Sequence, residues 1–263
     1  MGEKSSVKII FDNSRQRSVE VSVIVPIRDD PRVYRLIDAL KLQKFKNFEV
    51  IFINDAPKPF IDTSKIPKNL NVKIIHSTKP LNIAKKLNVG AKYALGKYYA
   101  ITETDCVPSK SWLFDTYAYI KTKKNTLLKG NEARNQDVSL ANLVFSPSCI
   151  KDCPLDEEFH YLSDVQWLRQ LNEKGFKIDL KNIGPLYHEC YGKGNYWKKT
   201  KRHFKDMLEY TYLYLKYPSK DFKKNFTWFL LNQIHGLIVS MIVLVLVVIS
   251  APFYFIKARF LKN

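Results

Sequence analysis

Residues 98–105 read YYAITETD, an apolar run that ends in two carboxylates spaced two positions apart, Glu103 and Asp105. An apolar run of this kind predicts a strand, and side chains two positions apart on a strand share one face. Two carboxylates there can bind one divalent cation, because Mg²⁺ and Mn²⁺ favour carboxylate oxygens with phosphate and water in the remaining positions. An acidic pair after a strand is also common as a solvated loop or a helix cap, so the stretch alone leaves both interpretations open.

The segments before this run alternate between strand and helix patterns. A β-branched run too apolar to be half exposed predicts a strand at residues 19–26 (VEVSVIVP). Further strands are predicted at residues 48–54 and 72–76. Amphipathic helices are predicted from Asp30 to about residue 44 and from Asn82 to about residue 95, with Gly96 as the cap of the second helix. This alternation is typical of βαβ units and therefore of a parallel sheet.

Polar residues follow the predicted strands at the point where each strand ends. Ligands of a parallel sheet bind beyond the carboxyl ends of its strands, so these residues are expected to share one crevice. The residues at or just beyond these strand ends are Pro26, Arg28 and Asp29 for the first strand, Asn54 and Asp55 for the second, and Glu103 and Asp105 for the fourth.

The second half of the chain carries weaker patterns. The predicted elements are a helix from Pro108 to about residue 121, strands near 142–145 and 176–180, and a helix from Ser163 to Gly175. Asp164 opens the last helix, where Ser163 and Gln166 fit a capping box, so Asp164 is either a first-turn acid or a functional carboxylate. His188 lies beyond the last strand pattern, and a single histidine is more often structural than functional.

The amino-acid composition limits the classes of binding partner that we expect. The net charge of +18 favours anionic partners, which are nucleotides, nucleic acid or acidic lipid. Lysine supplies most of this charge, and neither a Cys/His finger nor an RNP signature is present, so no nucleic acid partner is expected. The four cysteines lack the paired spacing of a zinc site and are interpreted as free thiols.

The C-terminal region differs in composition from the rest of the chain, because residues 225–256 contain no Asp, Glu, Lys or Arg. A transmembrane helix is predicted at about residues 232–256, within an anchoring segment at 219–263, because the apolar stretch is long enough to cross a hydrocarbon core of about 30 Å. A buried helix of a soluble core, a re-entrant hairpin and an in-plane helix are alternatives. Lysines and arginines flank the stretch on both sides, so their count alone does not set its orientation.

In their order, these segments resemble a family 2 glycosyltransferase of the GT-A fold, over about residues 19–191. The matching motifs are VSVIVP at 21–26, FEVIFIND at 48–55, LNVG at 87–90 and the acidic pair at 103–105. The resemblance implies an α/β fold with a mixed, mainly parallel sheet flanked by helices. The expected domain runs from 19 to 218 after a polar leader at 1–18, with a nucleotide-binding half at 19–107 and an acceptor half at 108–218.

The resemblance also implies roles for individual residues. It places Pro26, Arg28, Asp55, Lys86 and Glu103 around a nucleotide-sugar donor, and a divalent cation, Mg²⁺ or Mn²⁺, on Asp105, Glu103 and His188. Asp164 stands where the family has its general base. The chain departs from the family pattern at Glu103, Asn54 and Ser163, each of which replaces a common aspartate or acid, and it lacks the Q-x-x-R-W sequence of processive synthases.

The implied function is transfer of a sugar from a nucleotide diphosphate to an acceptor hydroxyl, with inversion at the anomeric carbon. The apolar tail favours a polysaccharide, glycolipid or lipid-linked acceptor of the cell envelope. It also favours a single-pass location at the cell membrane with the catalytic domain in the cytoplasm, where nucleotide sugars are made. The alternative is a catalytically inactive GT-A scaffold in a membrane glycan-assembly complex. A nucleotidyltransferase is disfavoured, since no glycine-rich, lysine-bearing loop follows the first strand.

Overall fold

A computed structural model describes residues 7–14, 18–131, 140–160 and 162–189, together with residues 205, 209, 212, 213, 216 and 217. The chain divides into two compact units, residues 1–202 and residues 203–263. The elements below all belong to the first unit.

Ten strands and five helices form the described part of this unit. The strands are β1 (Val7–Asp12), β2 (Val21–Ile27), β3 (Phe48–Asn54), β4 (Asn71–Ser77), β5 (Tyr98–Ile101), β6 (Cys106–Pro108), β7 (Thr126–Lys129), β8 (Leu143–Phe145), β9 (Lys177–Leu180) and β10 (Leu186–His188). The helices are α1 (Val33–Lys41), α2 (Ile83–Tyr93), α3 (Trp112–Ile120), α4 (Ser148–Lys151) and α5 (Ser163–Glu173).

The main sheet has eight strands in the order β1-β4-β3-β2-β5-β8-β7-β9, and β6 pairs with β10 in a second, two-stranded sheet. The four central strands β4, β3, β2 and β5 run parallel. β1 and β8 run antiparallel to their neighbours, whereas β9 is parallel to β7. The predicted α/β class with a mixed, mainly parallel sheet is thereby confirmed.

Alternating side chains of the central strands pack into two hydrophobic layers. Val23 and Val25 of β2 pack in the layer that contains α1 and α3, whereas Ile24 packs in the layer that contains α2 and α5. Every residue of β2 and β3 is buried, which explains their nearly continuous apolar sequences. The predicted amphipathic character of α1 is confirmed, since its buried residues are Val33, Leu36, Ile37 and Leu40, spaced three or four positions apart or adjacent on one helix face.

Three boundaries differ from the sequence prediction. Residues 7–12 of the predicted polar leader form β1, an edge strand on β4, which its mixed polar sequence did not reveal. α1 begins at Val33 rather than at Asp30. β5 ends at Ile101, so Glu103 and Asp105 lie in the turn between β5 and β6 rather than on a shared strand face.

Gly96 is not a helix cap, because α2 ends with Ala94 at the capping position. A Cβ atom on Gly96 would lie 2.5 Å from the Ser22 backbone nitrogen and 2.8 Å from the Tyr98 carbonyl oxygen. The Gly96 N–H donates to Ser22 Oγ at 2.8 Å, and that hydroxyl donates to the buried Glu49 carboxylate at 2.6 Å. Glycine is therefore required here by the close approach of the chain to β2.

No helix among the described residues is long and apolar enough to span a membrane. The predicted anchoring segment at 219–263, with its helix at about 232–256, lies outside the described residues.

We expect Gly96→Ala to destabilise the fold by about 2 kcal/mol or more, because the methyl group meets backbone atoms that cannot move aside. Chemical denaturation of the full chain measures the effect. Leu95→Ala is the matched control, because the Leu95 side chain is 59% exposed and its loss should change the free energy of unfolding by less than about 0.5 kcal/mol. Equal stability of the two variants would contradict the packing described for Gly96.

Candidate functional site

The carboxyl ends of β3, β2 and β5 lie side by side, since β2 pairs in parallel with both of its neighbours. The polar residues that follow these strands therefore meet at one edge of the sheet, as the sequence predicted. They form two clusters. One is built around Asp55 and the other around Asp105.

Asp55 forms a buried ion pair with Lys86. The Lys86 Nζ atom lies 2.6 Å from Asp55 Oδ1, and the Asp55 side chain is only 1% exposed. Lys86 also donates to the carbonyl oxygen of Ile27 at 3.2 Å, and the Leu81 N–H donates to Asp55 Oδ2 at 2.8 Å. These contacts join the ends of β2 and β3 to α2 and fix the orientation of the carboxylate.

A second set of hydrogen bonds holds the segment after β2. Asn54 Nδ2 donates to the Arg28 carbonyl oxygen at 2.7 Å, and Asn54 Oδ1 lies 3.0 Å from His76 Nδ1. The amide of Asn54 thus performs a backbone-holding role that a carboxylate cannot, because a carboxylate has no donor. Pro26 is buried within β2, whereas Arg28 is exposed beside the crevice.

The second cluster joins Glu103, Asp105 and His188. Asp105 Oδ2 lies 3.4 Å from His188 Nε2, and Glu103 Oε2 lies 3.8 Å from the same nitrogen. The pairing of β10 with β6 places His188 opposite Cys106, and the Glu189 N–H donates to the Asp105 carbonyl oxygen at 2.9 Å. Backbone hydrogen bonds therefore hold the imidazole beside the carboxylates although some 80 residues separate them in sequence.

Asp30 and Arg32 border this cluster, and sequence reasoning gave neither a role in the site. The Arg32 guanidinium bonds both Asp30 oxygens, at 2.6 Å for the shorter contact, and lies 3.8 Å from Asp105 Oδ2. Thr104 Oγ1 also donates to Asp30 Oδ2, at 2.9 Å. The hydrogen bonds from Arg32 hold the pKa of Asp30 below its usual range, so Asp30 is ionised at neutral pH. Its local sequence gives no signal for a contact with Thr104, which arises only in the folded chain.

The donors of the second cluster suit a divalent cation. Carboxylate oxygens and an imidazole nitrogen are ligands that first-row divalent metals accept, with carboxylates preferred by Mg²⁺ and Mn²⁺. Asp105, Cys106 and His188 each offer one ligand atom within 4.8 Å of the others. Asp105 and His188 are 14% and 12% exposed, so the donors are partly shielded from water yet reachable. The predicted metal ligands thus lie together, and Cys106 joins them.

Asp164 lies in the first turn of α5, on a different element from both clusters. Its Oδ1 atom accepts the Val165 N–H at 2.8 Å. The predicted capping box of Ser163 and Gln166 is wrong, because Leu162 occupies the N-cap position and Gln166 donates to Gln170. A first-turn carboxylate of this kind remains stabilised by the helix dipole.

α2 links the Asp55 cluster to the segment that leads into α5. Asn88 donates to the Leu155 carbonyl oxygen at 2.8 Å and accepts the Leu155 N–H at 3.1 Å. Asn82, the N-cap residue of α2, donates to the carbonyl oxygens of Glu157 and Phe159. One helix therefore supports Lys86 on one side and the approach to Asp164 on the other.

We expect Lys86→Met to destabilise the protein by about 3–5 kcal/mol, because it leaves the Asp55 charge buried without its partner. The double variant Lys86→Met/Asp55→Asn should recover part of this loss, as measured by chemical denaturation. Lys85→Met is the control, since Lys85 is half exposed and faces Glu157 at 3.7 Å, and it should cost less than about 1 kcal/mol. Additive losses in the double variant would show that the two charges do not stabilise each other.

Residues 22–143 match the family model described as Glycosyl transferase family 2. No curated protein matches the chain. The crystal structure of S. aureus TarS is similar with a TM-score of 0.53 and 19% identity, over 65% of this chain and 37% of that one. S. aureus TarS 1–349 in complex with UDP-GlcNAc gives 0.55 and 19%, over 68% and 61% of the two chains.

A third similar structure is the mannosyltransferase PcManGT from Pyrobaculum calidifontis in complex with GDP-Man and Mn²⁺. It has a TM-score of 0.63 and 14% identity, over 80% of this chain and 68% of that one. At these identities the likeness shows the fold alone, which is GT-A-like, and the match spans less than two thirds of the TarS chains. Residues 22–143 contain Asp55, Lys86, Glu103 and Asp105. These residues match a glycosyl transferase family 2 domain, and the fold around them is GT-A-like.

Proposed function

We propose that the chain transfers a sugar from a nucleotide-diphosphate donor to an acceptor hydroxyl, with inversion at the anomeric carbon. The observation that carries the proposal is the meeting of the Asp55–Lys86 pair and the Glu103–Asp105–His188 cluster at the carboxyl ends of adjacent parallel strands. UDP-GlcNAc and GDP-Man, bound by two proteins of similar fold, are the first donors to consider.

The nucleoside would lie over the ends of β2 and β3. Asp55 accepts hydrogen bonds from the base or ribose, and its orientation is already fixed by Lys86 and the Leu81 N–H. Because this carboxylate does not need to reorient on binding, little side-chain entropy is lost. Pro26 and the exposed Arg28 border the nucleotide. The positively charged Arg28 guanidinium would bind the negatively charged diphosphate.

Asp105, Glu103 and His188 would hold the divalent cation, Mg²⁺ or Mn²⁺. When bound, the cation supplies Lewis-acid stabilisation of the charge that grows on the departing diphosphate. Asp105 is the central ligand, because it contacts both His188 and Arg32. Glu103 is longer than the aspartate usual in the family and more exposed than Asp105, at 31%, and would hold the cation from the solvent side.

Asp164 would act as the general base. The N-terminus of α5 favours a negative charge on this carboxylate, which would take the proton of the acceptor hydroxyl as that oxygen attacks the anomeric carbon. Direct displacement forms no glycosyl-enzyme and needs only this one carboxylate near the acceptor, which gives inversion.

The acceptor is proposed to be a polysaccharide, a glycolipid or a lipid-linked glycan. The uncharged stretch at residues 225–256 would anchor the chain to the cell membrane and its lipids, with the catalytic domain in the cytoplasm. An anchored enzyme meets a lipid-linked acceptor at a high effective concentration.

Asp164→Asn should lower kcat by about 100-fold or more while leaving donor binding unchanged, because the amide cannot accept the proton. Asp105→Asn should weaken the Mn²⁺ dependence and turnover together. The assay follows nucleoside diphosphate release from a panel of nucleotide sugars with Mn²⁺ and membrane lipid extract. Asp152→Asn is the control, since Asp152 is exposed beyond α4 and should keep full activity. Turnover of Asp164→Asn at the wild-type rate would refute the base assignment, and no release from any donor would favour the inactive scaffold.

The anchoring proposal has its own test. Leu244→Arg/Leu246→Arg should shift the chain from the membrane fraction to the soluble fraction, because each central arginine opposes insertion by about 2.5–3.5 kcal/mol. Ser219→Arg, before the apolar stretch, should leave the distribution unchanged. Retention of the double arginine variant in carbonate-washed membranes would show that this stretch is not the anchor.

A further inference from the structure

The turn between β5 and β6 brings a thiol to the proposed metal ligands. Cys106 is fully buried, and its Sγ atom lies 3.8 Å from Asp105 Oδ1. The thiol, one Asp105 oxygen and one His188 nitrogen all lie within 4.8 Å of one another. A hard cation such as Mg²⁺ has little affinity for sulfur, so this donor has no use in the reaction proposed above.

The distances suit a smaller, tetrahedral arrangement. Ligands at about 2.0–2.3 Å from a tetrahedral zinc ion are separated from one another by about 3.4–3.6 Å, depending on whether sulfur is involved. Asp105 Oδ2 and His188 Nε2 are 3.4 Å apart, and the thiol lies 3.8 Å from the other Asp105 oxygen. Glu103 Oε2 lies 3.8 Å from the imidazole nitrogen, beside these three donors.

A second observation concerns Thr102. Its side chain is fully buried, and its hydroxyl has no hydrogen bond of good geometry to any described residue. The same hydroxyl lies beside the Cys106 thiol. A buried hydroxyl is costly without an acceptor, and a metal-bound thiolate would supply one.

We propose that Asp105, Cys106 and His188 form a binding site for a thiophilic divalent cation, of which Zn²⁺ is the biological representative. Binding converts the thiol to a zinc-bound thiolate and releases one proton to solvent, so that charge and atoms balance. Zinc then occupies the ligands Asp105 and His188 that Mg²⁺ or Mn²⁺ needs. The binding itself does not depend on the proposed function, whereas its consequence, inhibition of donor turnover by zinc, rests on it.

The resting thiol does not obstruct a hard cation. A thiol sulfur has little affinity for a hard cation such as Mn²⁺. The same cluster can thus present oxygen and nitrogen to Mn²⁺, and oxygen, nitrogen and sulfur to Zn²⁺.

The test uses Co²⁺ as an optical substitute for zinc on the full-length chain. Co²⁺ should produce the near-ultraviolet absorption of a cobalt–thiolate bond in the wild type and in Cys149→Ser, but not in Cys106→Ser or Cys106→Ala. Cys149 is the matched control, since it is equally buried but lies outside the cluster. Zinc affinity, measured by competition with a chromophoric chelator, should fall about tenfold or more in both Cys106 variants.

Two results would overturn the site. One is Co²⁺ bound with no thiolate absorption in the wild type, and the other is unchanged zinc affinity in both Cys106 variants with wild-type circular dichroism. Cys190→Ser is included because Cys190 follows His188 closely in sequence and lies outside the described residues. Loss of the absorption in that variant alone would assign the sulfur to Cys190 instead.

The consequence for catalysis is measured separately. Micromolar zinc should inhibit Mn²⁺-dependent donor turnover in the wild type, and about tenfold more should be needed in Cys106→Ala. A thiolate absorption without any donor turnover would leave the metal site standing and count against the proposed function alone. Turnover that zinc inhibits equally in both proteins would place the inhibition elsewhere.

Discussion

The parallel alignment of β3, β2 and β5 is the constraint on which the site depends. Ile27 of β2 is in register with Asn54 of β3, and Ile24 with Ile101 of β5. The three strands therefore end at the same edge of the sheet. Arg28, Asp55 and Glu103 all follow these strand ends and therefore lie at the same edge of the sheet. The burial of both faces of β2 and β3 stabilises this arrangement, because a slip of one residue would exchange the two hydrophobic layers.

Two further connections turn this edge into a site. The Lys86–Asp55 ion pair joins α2 to the strand ends, and the asparagines of α2 hold the segment before α5. The β6–β10 pairing places His188 beside Asp105, although the two residues are far apart in sequence. Strand pairing positions His188, and side-chain contacts of α2 connect Asp55 and the segment before α5 to the same edge of the sheet.

The features that could be predicted from the sequence are those that depend on local sequence patterns. β2, β3 and β4 were predicted because strands buried on both faces are nearly continuous runs of apolar residues. β1 and β7 were missed: β1 is an edge strand of mixed polarity, and β7 has only four residues. Gly96 was assigned to a cap because its true neighbour, Ser22, is 74 residues away. Arg32 contacts Asp105 only in the folded chain, and no periodicity in the sequence marks it.

The central claim is that Asp105 and His188 bind a divalent cation together with a nucleotide diphosphate. Electron paramagnetic resonance of Mn²⁺ bound to the full chain, with UDP or GDP present, tests it most directly. The account predicts nitrogen hyperfine coupling from an imidazole ligand, lost in His188→Gln, and loss of tight Mn²⁺ binding in Asp105→Asn. Bound Mn²⁺ with no nitrogen coupling in the wild type and equal affinity in Asp105→Asn would contradict it.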